Sequence, residues 1–333
     1  MVLIFVDDIQ VCSGNDEIIE KTTFELLQCF EGCDEGDLAW YLGVRFVTMD
    51  GATAISQDSY LQNIVDDHNL SNVRQFSTSM AANFHHEILA HGGDPVCFEE
   101  EYSSLVGSLL YLSNSSRPDI LFSTSVLAQY LSKPNKFLIA AANRVVGYLL
   151  RTPAHGLFYQ TEVSKKIHLH FCVDADYGGD NQTRKSRTGW TGFLNGKLFT
   201  WRSQCQQTTA LSSSESEYVA LSECCREVKR VRMMLAEIGF DMTDPTDVFC
   251  DNSAARAWAD KSQSMQKAKH IEIRFHFARE CVESGQVCGV AITSAENPAD
   301  IMTKPLQDQK FSKFRSVFGV KDVSSFGTPN QGE

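Results

Sequence analysis

The chain has 333 residues, 43% of them hydrophobic and 10% aromatic, and a formal net charge of −12. That length can hold two domains that each bury a core, and the apolar content excludes a disordered chain. No apolar run approaches the ~20 residues of a membrane span, and Met1 to Val6 lacks the basic region and cleavage site of a signal peptide.

Eleven scattered cysteines, odd in number and without Cys-x-x-Cys spacing, point to buried thiols in a reducing, intracellular setting. The acidic balance counts against a uniformly basic nucleic-acid coat. Local positive patches remain at Arg184-Lys-Ser-Arg187, Lys229-Arg-Val-Arg232 and Lys267-Ala-Lys-His270.

In chain order, the first predicted elements are two apolar strands, Val2–Val6 and Ile9–Val11, which suit a hairpin with Asp7 and Asp8 at its tip. An acidic stretch, 31–37, follows, and a helix is predicted around 137–149. Strands are predicted at 167–173, 188–194 and 197–201, the last two joined by Asn195-Gly196, whose residues tolerate the positive φ of a tight hairpin turn.

A long helix over about 215–238 carries Leu221, Cys224, Val228, Val231, Leu235 and Ile238 on one stripe, with Glu217 on the same face and Glu215 turned to solvent. A strand at 247–250, a short helix at Ser253–Ala259, a helix at Ile271–Glu283 and a last strand at Val287–Ile292 complete the pattern. The fold class is α/β (α+β), built on a five-stranded mixed sheet. From Ser324 the Gly, Pro, Asn and Gln content reads as disordered.

Four carboxylates fall at the ends of these elements: Asp174, Glu217, Asp251 and Asp300. Clustered acids repel one another unless cations sit among them, and hard cations take oxygen ligands. Two such ions about 4 Å apart can stabilise both the attacking and the leaving oxygen of a phosphodiester displacement. Each acid also has a plain reading. Asp174 and Asp176 suit a turn, Ser214-x-x-Glu217 fits a capping box, Asp251-Asn-Ser is an N-cap cluster, and Asp300 complements a helix dipole.

Taken in order, the runs Asp174-Ala-Asp-Tyr-Gly-Gly179, Arg187-Thr-Gly189, Ala210 to Tyr218, Cys250-Asp-Asn252, Lys269-His-Ile-Glu-Ile-Arg274 and Ala299-Asp-Ile-Met-Thr-Lys-Pro-Leu306 resemble the ribonuclease H domain of copia-type LTR retrotransposons. Phe5-Val-Asp-Asp8 and Tyr41-Leu-Gly43 resemble the end of the same polyprotein's reverse transcriptase. Leu105 to Leu112 and Arg117-Pro-Asp-Ile120 resemble the segment connecting polymerase to nuclease.

The resemblance implies a truncated palm and thumb-like segment (1–100), a connection segment (101–163), a ribonuclease H-like domain (164–310) and a partly disordered tail (311–333). It implies hydrolysis of the RNA strand of RNA·DNA hybrids with two Mg²⁺ (or Mn²⁺) ions held by Asp174, Glu217, Asp251 and Asp300. Expected partners are the hybrid and other parts of the polyprotein, with no membrane. The expected setting is intracellular: cytoplasmic, in a virus-like particle, or nuclear.

Arg184, Lys185, Arg187, Lys269, His270 and Arg274 are the candidate nucleic-acid contacts. Asp7 and Asp8 would be a remnant polymerase site, because the third polymerase carboxylate of the family lies on a strand upstream of this hairpin. DNA synthesis is therefore not expected of these residues alone.

Departures from the family include the acids at 31–37, Asn143 and Gly147 in the 137–149 helix, and a loop before Asp300 without histidine, where Glu296 is the nearest substitute. A glycine inside a helix costs about 1 kcal/mol relative to alanine. Such losses suit the alternative reading, a catalytically silent remnant that at most binds nucleic acid or a partner.

Overall fold

A computed structural model describes residues 1–90, 99–160, 167–180, 182–251 and 269–326. The chain opens with an antiparallel hairpin of β1 (Val2–Phe5) and β2 (Asp8–Val11), Phe5 opposite Asp8. The two apolar runs predict this hairpin, and Asp7 and Asp8 stand at its tip. Helix α1 (Asp16–Cys29) follows, its first turn capped by Asn15, which accepts from the Glu17 N–H at 2.9 Å.

Strands β3 (Trp40–Tyr41), β4 (Val44–Met49) and β5 (Ala52–Ser56) run back and forth, the first turn made by Leu42 and Gly43 at φ 50° and 71°. Helices α2 (Asp58–Asp67), α3 (Phe84–Ala90), α4 (Glu99–Ser115), α5 (Leu121–Leu127) and α6 (Lys136–Arg151) come next, then β6 (His155–Gln160).

The second half of the chain follows: β7 (Leu169–Asp176), β8 (Arg187–Leu194), β9 (Lys197–Cys205), α7 (Ser213–Glu237), β10 (Thr246–Cys250), α8 (Lys269–Glu283) and β11 (Val287–Ala291). A 3₁₀ turn (Pro298–Met302), α9 (Asp308–Val317) and β12 (Val320–Asp322) close the described chain.

The predicted five-stranded mixed sheet forms, in the order β11-β10-β7-β8-β9. Strand β10 runs parallel to β7 and β11, while β8 is antiparallel to β7 and β9. Asn195 and Gly196 take φ 48° and 74°, as a two-residue hairpin turn requires. The predicted helix at Ser253–Ala259 lies outside the described residues.

Each face of this sheet has its own cover. Along β7, Leu169, Phe171 and Val173 point to one side, where they pack with Leu221, Cys224, Val228, Val231 and Leu235 of α7 and with Ala278 and Cys281 of α8. The predicted α7 stripe is therefore buried except at its end, because Ile238 lies past the helix terminus and is exposed. On the other side, Cys172, Phe193 and Leu198 join the core of α4, α5 and α6. Polar ties fix the two layers: Trp201 Nε1 donates to the Ser113 carbonyl at 2.9 Å, and the Tyr159 hydroxyl donates to the Leu198 carbonyl at 2.9 Å.

A second five-stranded sheet, all antiparallel, has the order β12-β6-β5-β4-β3. It gathers residues near 40–56, 155–160 and 320–322. The stretch after 310, expected as a tail, thus supplies a helix and a strand whose Phe311, Phe314, Phe318 and Val320 are buried in the same core as α4 to α6.

Gly147 has a structural reason. A Cβ there would meet the Arg74 carbonyl oxygen at 2.1 Å and Phe76 Cδ2 at 3.0 Å, and the Phe76 N–H donates to the Gly147 carbonyl at 3.4 Å. The missing side chain lets residues 74–76 cross α6 at van der Waals distance. Gly147→Ala should therefore destabilise the fold by about 1–3 kcal/mol, against the gain in helix propensity. Urea unfolding checks this, and a stabilised alanine variant would contradict it.

Candidate active site

Strand β7 runs three residues beyond its predicted end, so Asp174 lies within the sheet, opposite Gly189 of β8. The period-2 alternation puts it on the side of Cys172. There the 3₁₀ turn crosses β8 at Gly189, where a Cβ would meet Thr303 Cγ2 at 2.6 Å and Met302 Cβ at 2.7 Å. Only a residue without a side chain lets the turn come this close. Asn297 clamps it, donating from Nδ2 to the Val173 carbonyl at 2.9 Å and accepting from the Ala299 N–H at 3.1 Å. The turn thereby brings a fully buried Asp300 against Asp174, and the Thr303 hydroxyl donates to Asp174 Oδ2.

Glu217 arrives from the first turns of α7. The capping box there uses Ser212 and Glu215. Ser212 Oγ accepts from the Glu215 N–H at 3.2 Å, and Glu215 Oε2 accepts from the Leu211 N–H at 2.9 Å. This corrects two expectations: Glu215 is buried and not turned to solvent, and Glu217 is not the capping residue. The triple serine 212–214 offers two frames for the motif, which is why sequence alone leaves it open.

Free of that role, Glu217 takes a hydrogen bond from the Ala175 backbone. Burial first, then Asp174 and Asp251, push its carboxyl up to about 9 against the opposing Lys304. Burial likewise raises the Asp174 carboxyl, with Asp300 adding to it and Lys304 working against it. Asp251 follows directly on β10 and is half-buried. Asp174 and Asp251 thus act on Glu217, and Asp300 on Asp174, at one end of the sheet, with Asp176 half-buried beside them.

Two lysines that sequence reasoning did not single out lie among these acids. Lys304 Nζ is 3.4 Å from Asp174 Oδ2 and 3.0 Å from Asp300 Oδ1, and Lys310 Nζ donates to Asp300 Oδ2. Burial disfavours the Lys304 ammonium, but Asp174 and Asp300 outweigh it and raise its pKa. The i,i+4 spacing of Asp300 and Lys304 is the signal that could have revealed it. Among the described residues, no three His, Cys, Asp or Glu side chains stand ready as a metal cage. The donors are nonetheless all carboxylate oxygens, and the buried Asp300 Oδ1 has no aligned hydrogen-bond donor in spite of the nearby ammonium. That chemistry fits a hard divalent cation.

The predicted nucleic-acid contacts are placed unequally. Arg184, at φ 56°, is exposed on the β7–β8 turn, and Lys185 beside it is half-buried. Arg187 is buried instead: its Nη1 donates to Ser125 Oγ at 2.7 Å and Ser203 Oγ at 3.2 Å, and its guanidinium lies over Phe122. It ties β8 and β9 to α5. The side chains of Lys269, His270 and Arg274 lie outside the described residues, and Glu296 is exposed. Asp7 and Asp8 sit in a two-stranded sheet separate from both five-stranded ones.

Residues 1–82 match the family model of reverse transcriptase (RNA-dependent DNA polymerase). The retrovirus-related Pol polyprotein of transposon RE1 from Arabidopsis thaliana is 30% identical over 96% of this chain, which covers 22% of that protein. The corresponding polyprotein of transposon TNT 1-94 from Nicotiana tabacum is 30% identical over 96% of the chain and 24% of its own length. This chain therefore spans less than a quarter of these relatives. Among solved structures, the RNase H1 of Halobacterium salinarum aligns at 15% identity and a TM-score of 0.30, over 41% of this chain and 94% of that one. No helix of the described residues is long and apolar enough to cross a membrane. Over 96% of its length, then, this chain is homologous to the Pol polyproteins of copia-type retrotransposons, at 30–31% identity.

Proposed function

We propose that the part of the chain from 164 to 310 hydrolyses the RNA strand of RNA·DNA hybrids as one component of a retrotransposon's reverse transcription machinery. The observation that carries this reading is the gathering of four acids at one sheet end, with Glu217 buried and pushed up to about 9 beside Asp174 and Asp251. Residues 1–100 and 101–163 then correspond to the polymerase end with its thumb-like segment and to the connection segment. The setting is intracellular, either cytoplasmic or nuclear.

Asp174, Glu217, Asp251 and Asp300 would hold Mg²⁺ or Mn²⁺. When bound, such ions activate water and stabilise the charge that develops on phosphate oxygens. The chain's own residues supply the frame. Asn297 and Gly189 fix the turn that carries Asp300. The Ala175 backbone orients Glu217, and the Thr303 hydroxyl orients Asp174. Arg184 and Lys185, on the turn that follows Asp176, meet the phosphate backbone. The hybrid is recognised by its shape and RNA 2′-hydroxyls, not by base edges.

The test is cleavage of a labelled RNA·DNA hybrid by the full chain with Mg²⁺ and with EDTA. Metal-dependent cutting confined to the RNA strand is expected. A second reading, a silent remnant, is favoured by the two ammonium groups already among the acids. Absence of cutting in both buffers would support it.

A further inference from the structure

We propose that Lys304 and Lys310 are built-in counter-ions of the acidic site, holding Asp174 and Asp300 together when no divalent ion is bound and competing with that ion for their carboxylates. The inference rests on the metal-dependent reading above and extends it to how the site loads.

Asp300 is fully buried, and a buried carboxylate without a counter-charge is costly. Both of its oxygens face an ammonium: Lys304 Nζ at 3.0 Å from Oδ1, and Lys310 Nζ on Oδ2. Lys304 also reaches Asp174 Oδ2 at 3.4 Å, so one ammonium bridges the two acids that a cation would bridge. The lysine side chains keep 35% and 33% of their surface exposed. Each can therefore swing its ammonium into water along a flexible stem once a divalent ion takes its place.

The two lysines come from different sources. Lys304 follows Asp300 by four residues, so its position is set locally. Lys310 belongs to α9, whose Phe311 packs edge-on against Tyr148 at 5.3 Å and whose Arg315 Nη1 donates to the Tyr148 hydroxyl at 3.2 Å. Helix α6 thus sets where Lys310 stands, and the packing of α9 on the first half of the chain tunes the charge of a site in the second half.

The test compares the full chain with Lys304→Met, Lys310→Met and the charge-preserving Lys310→Arg. Ca²⁺ affinity is read by calorimetry, without turnover, and thermal melting is read in EDTA and in saturating Ca²⁺. The methionine variants should bind Ca²⁺ about tenfold more tightly, the effect of removing one nearby positive charge. They should also melt lower in EDTA, with the deficit shrinking in Ca²⁺, while Lys310→Arg behaves as the parent. Should either methionine variant fail to fold, the same measurements apply to the glutamine variant at that position.

A lysine with a merely structural role would lower the melting temperature and leave Ca²⁺ affinity unchanged, and that result overturns the proposal. Failure of every form, parent included, to bind Ca²⁺ would remove the metal reading itself and the proposal with it.

Discussion

Glu217→Gln is expected to reduce Mg²⁺-dependent hybrid cleavage by orders of magnitude while the chain keeps its fold. Glutamine has the same shape, and its side-chain carbonyl can still accept from the Ala175 backbone. It cannot carry the negative charge that a divalent ion needs from this position. In the absence of metal, folding must also protonate this carboxyl, which is pushed up to about 9, and glutamine avoids that cost, so the melting temperature in EDTA should hold or rise. Cleavage and melting measured on one preparation decide the matter. A variant that cuts at the parent's rate would end the assignment of Glu217.

The second large effect is on stability, at the buried Arg117–Asp119 pair. Asp119→Ala should cost about 3–5 kcal/mol, the usual result of removing one partner from a buried ion pair. Arg117 is fully buried, and its Nε and Nη2 donate to the two Asp119 oxygens at 3.0 and 2.9 Å. Its remaining donors reach the Thr152 carbonyl at 3.0 Å and hydroxyl at 2.8 Å, and the Tyr148 hydroxyl donates to Asp119 at 2.5 Å. Without Asp119 the guanidinium keeps its charge and loses its counter-charge.

Burial alone would raise the Asp119 carboxyl, but Arg117 and Tyr148 outweigh it and hold it below the ordinary carboxylate range. A carboxyl depressed by folding stabilises the native state above its unfolded pKa, and that contribution is lost as pH falls through the folded value. The parent should therefore weaken in acid more steeply than the variant. Urea midpoints across acid pH test both statements, and a loss below about 1 kcal/mol at neutral pH would contradict them.

What sequence reasoning recovered is local. The β1–β2 hairpin rests on two short apolar runs, the Asn195-Gly196 turn on residues that tolerate positive φ, and the α7 stripe on a 3.6-residue period. The four acids stand out because each falls at the end of a predicted element, although β7 runs two residues past Asp174. What it missed depends on partners distant in the chain. Nothing near Gly147 announces that residues 74–76 will cross it, and nothing near Arg187 announces Ser125. The frame of the α7 cap was undecidable among three serines. The pairing of β6 with β12 joins segments more than a hundred residues apart, beyond any local signal.

That pairing bears on how the protein is made. One edge of β6 is satisfied by β5 soon after synthesis, but its other edge waits for residues 320–322 to leave the ribosome. Until then a nascent chain carries an open ladder of backbone groups, and neighbouring chains on one messenger carry the same one. Such edges pair with each other readily. Completion of the second sheet is therefore a late event, tied to translation of residues 320–322. Slow decoding of the codons just before it would lengthen the interval in which nascent copies can associate wrongly.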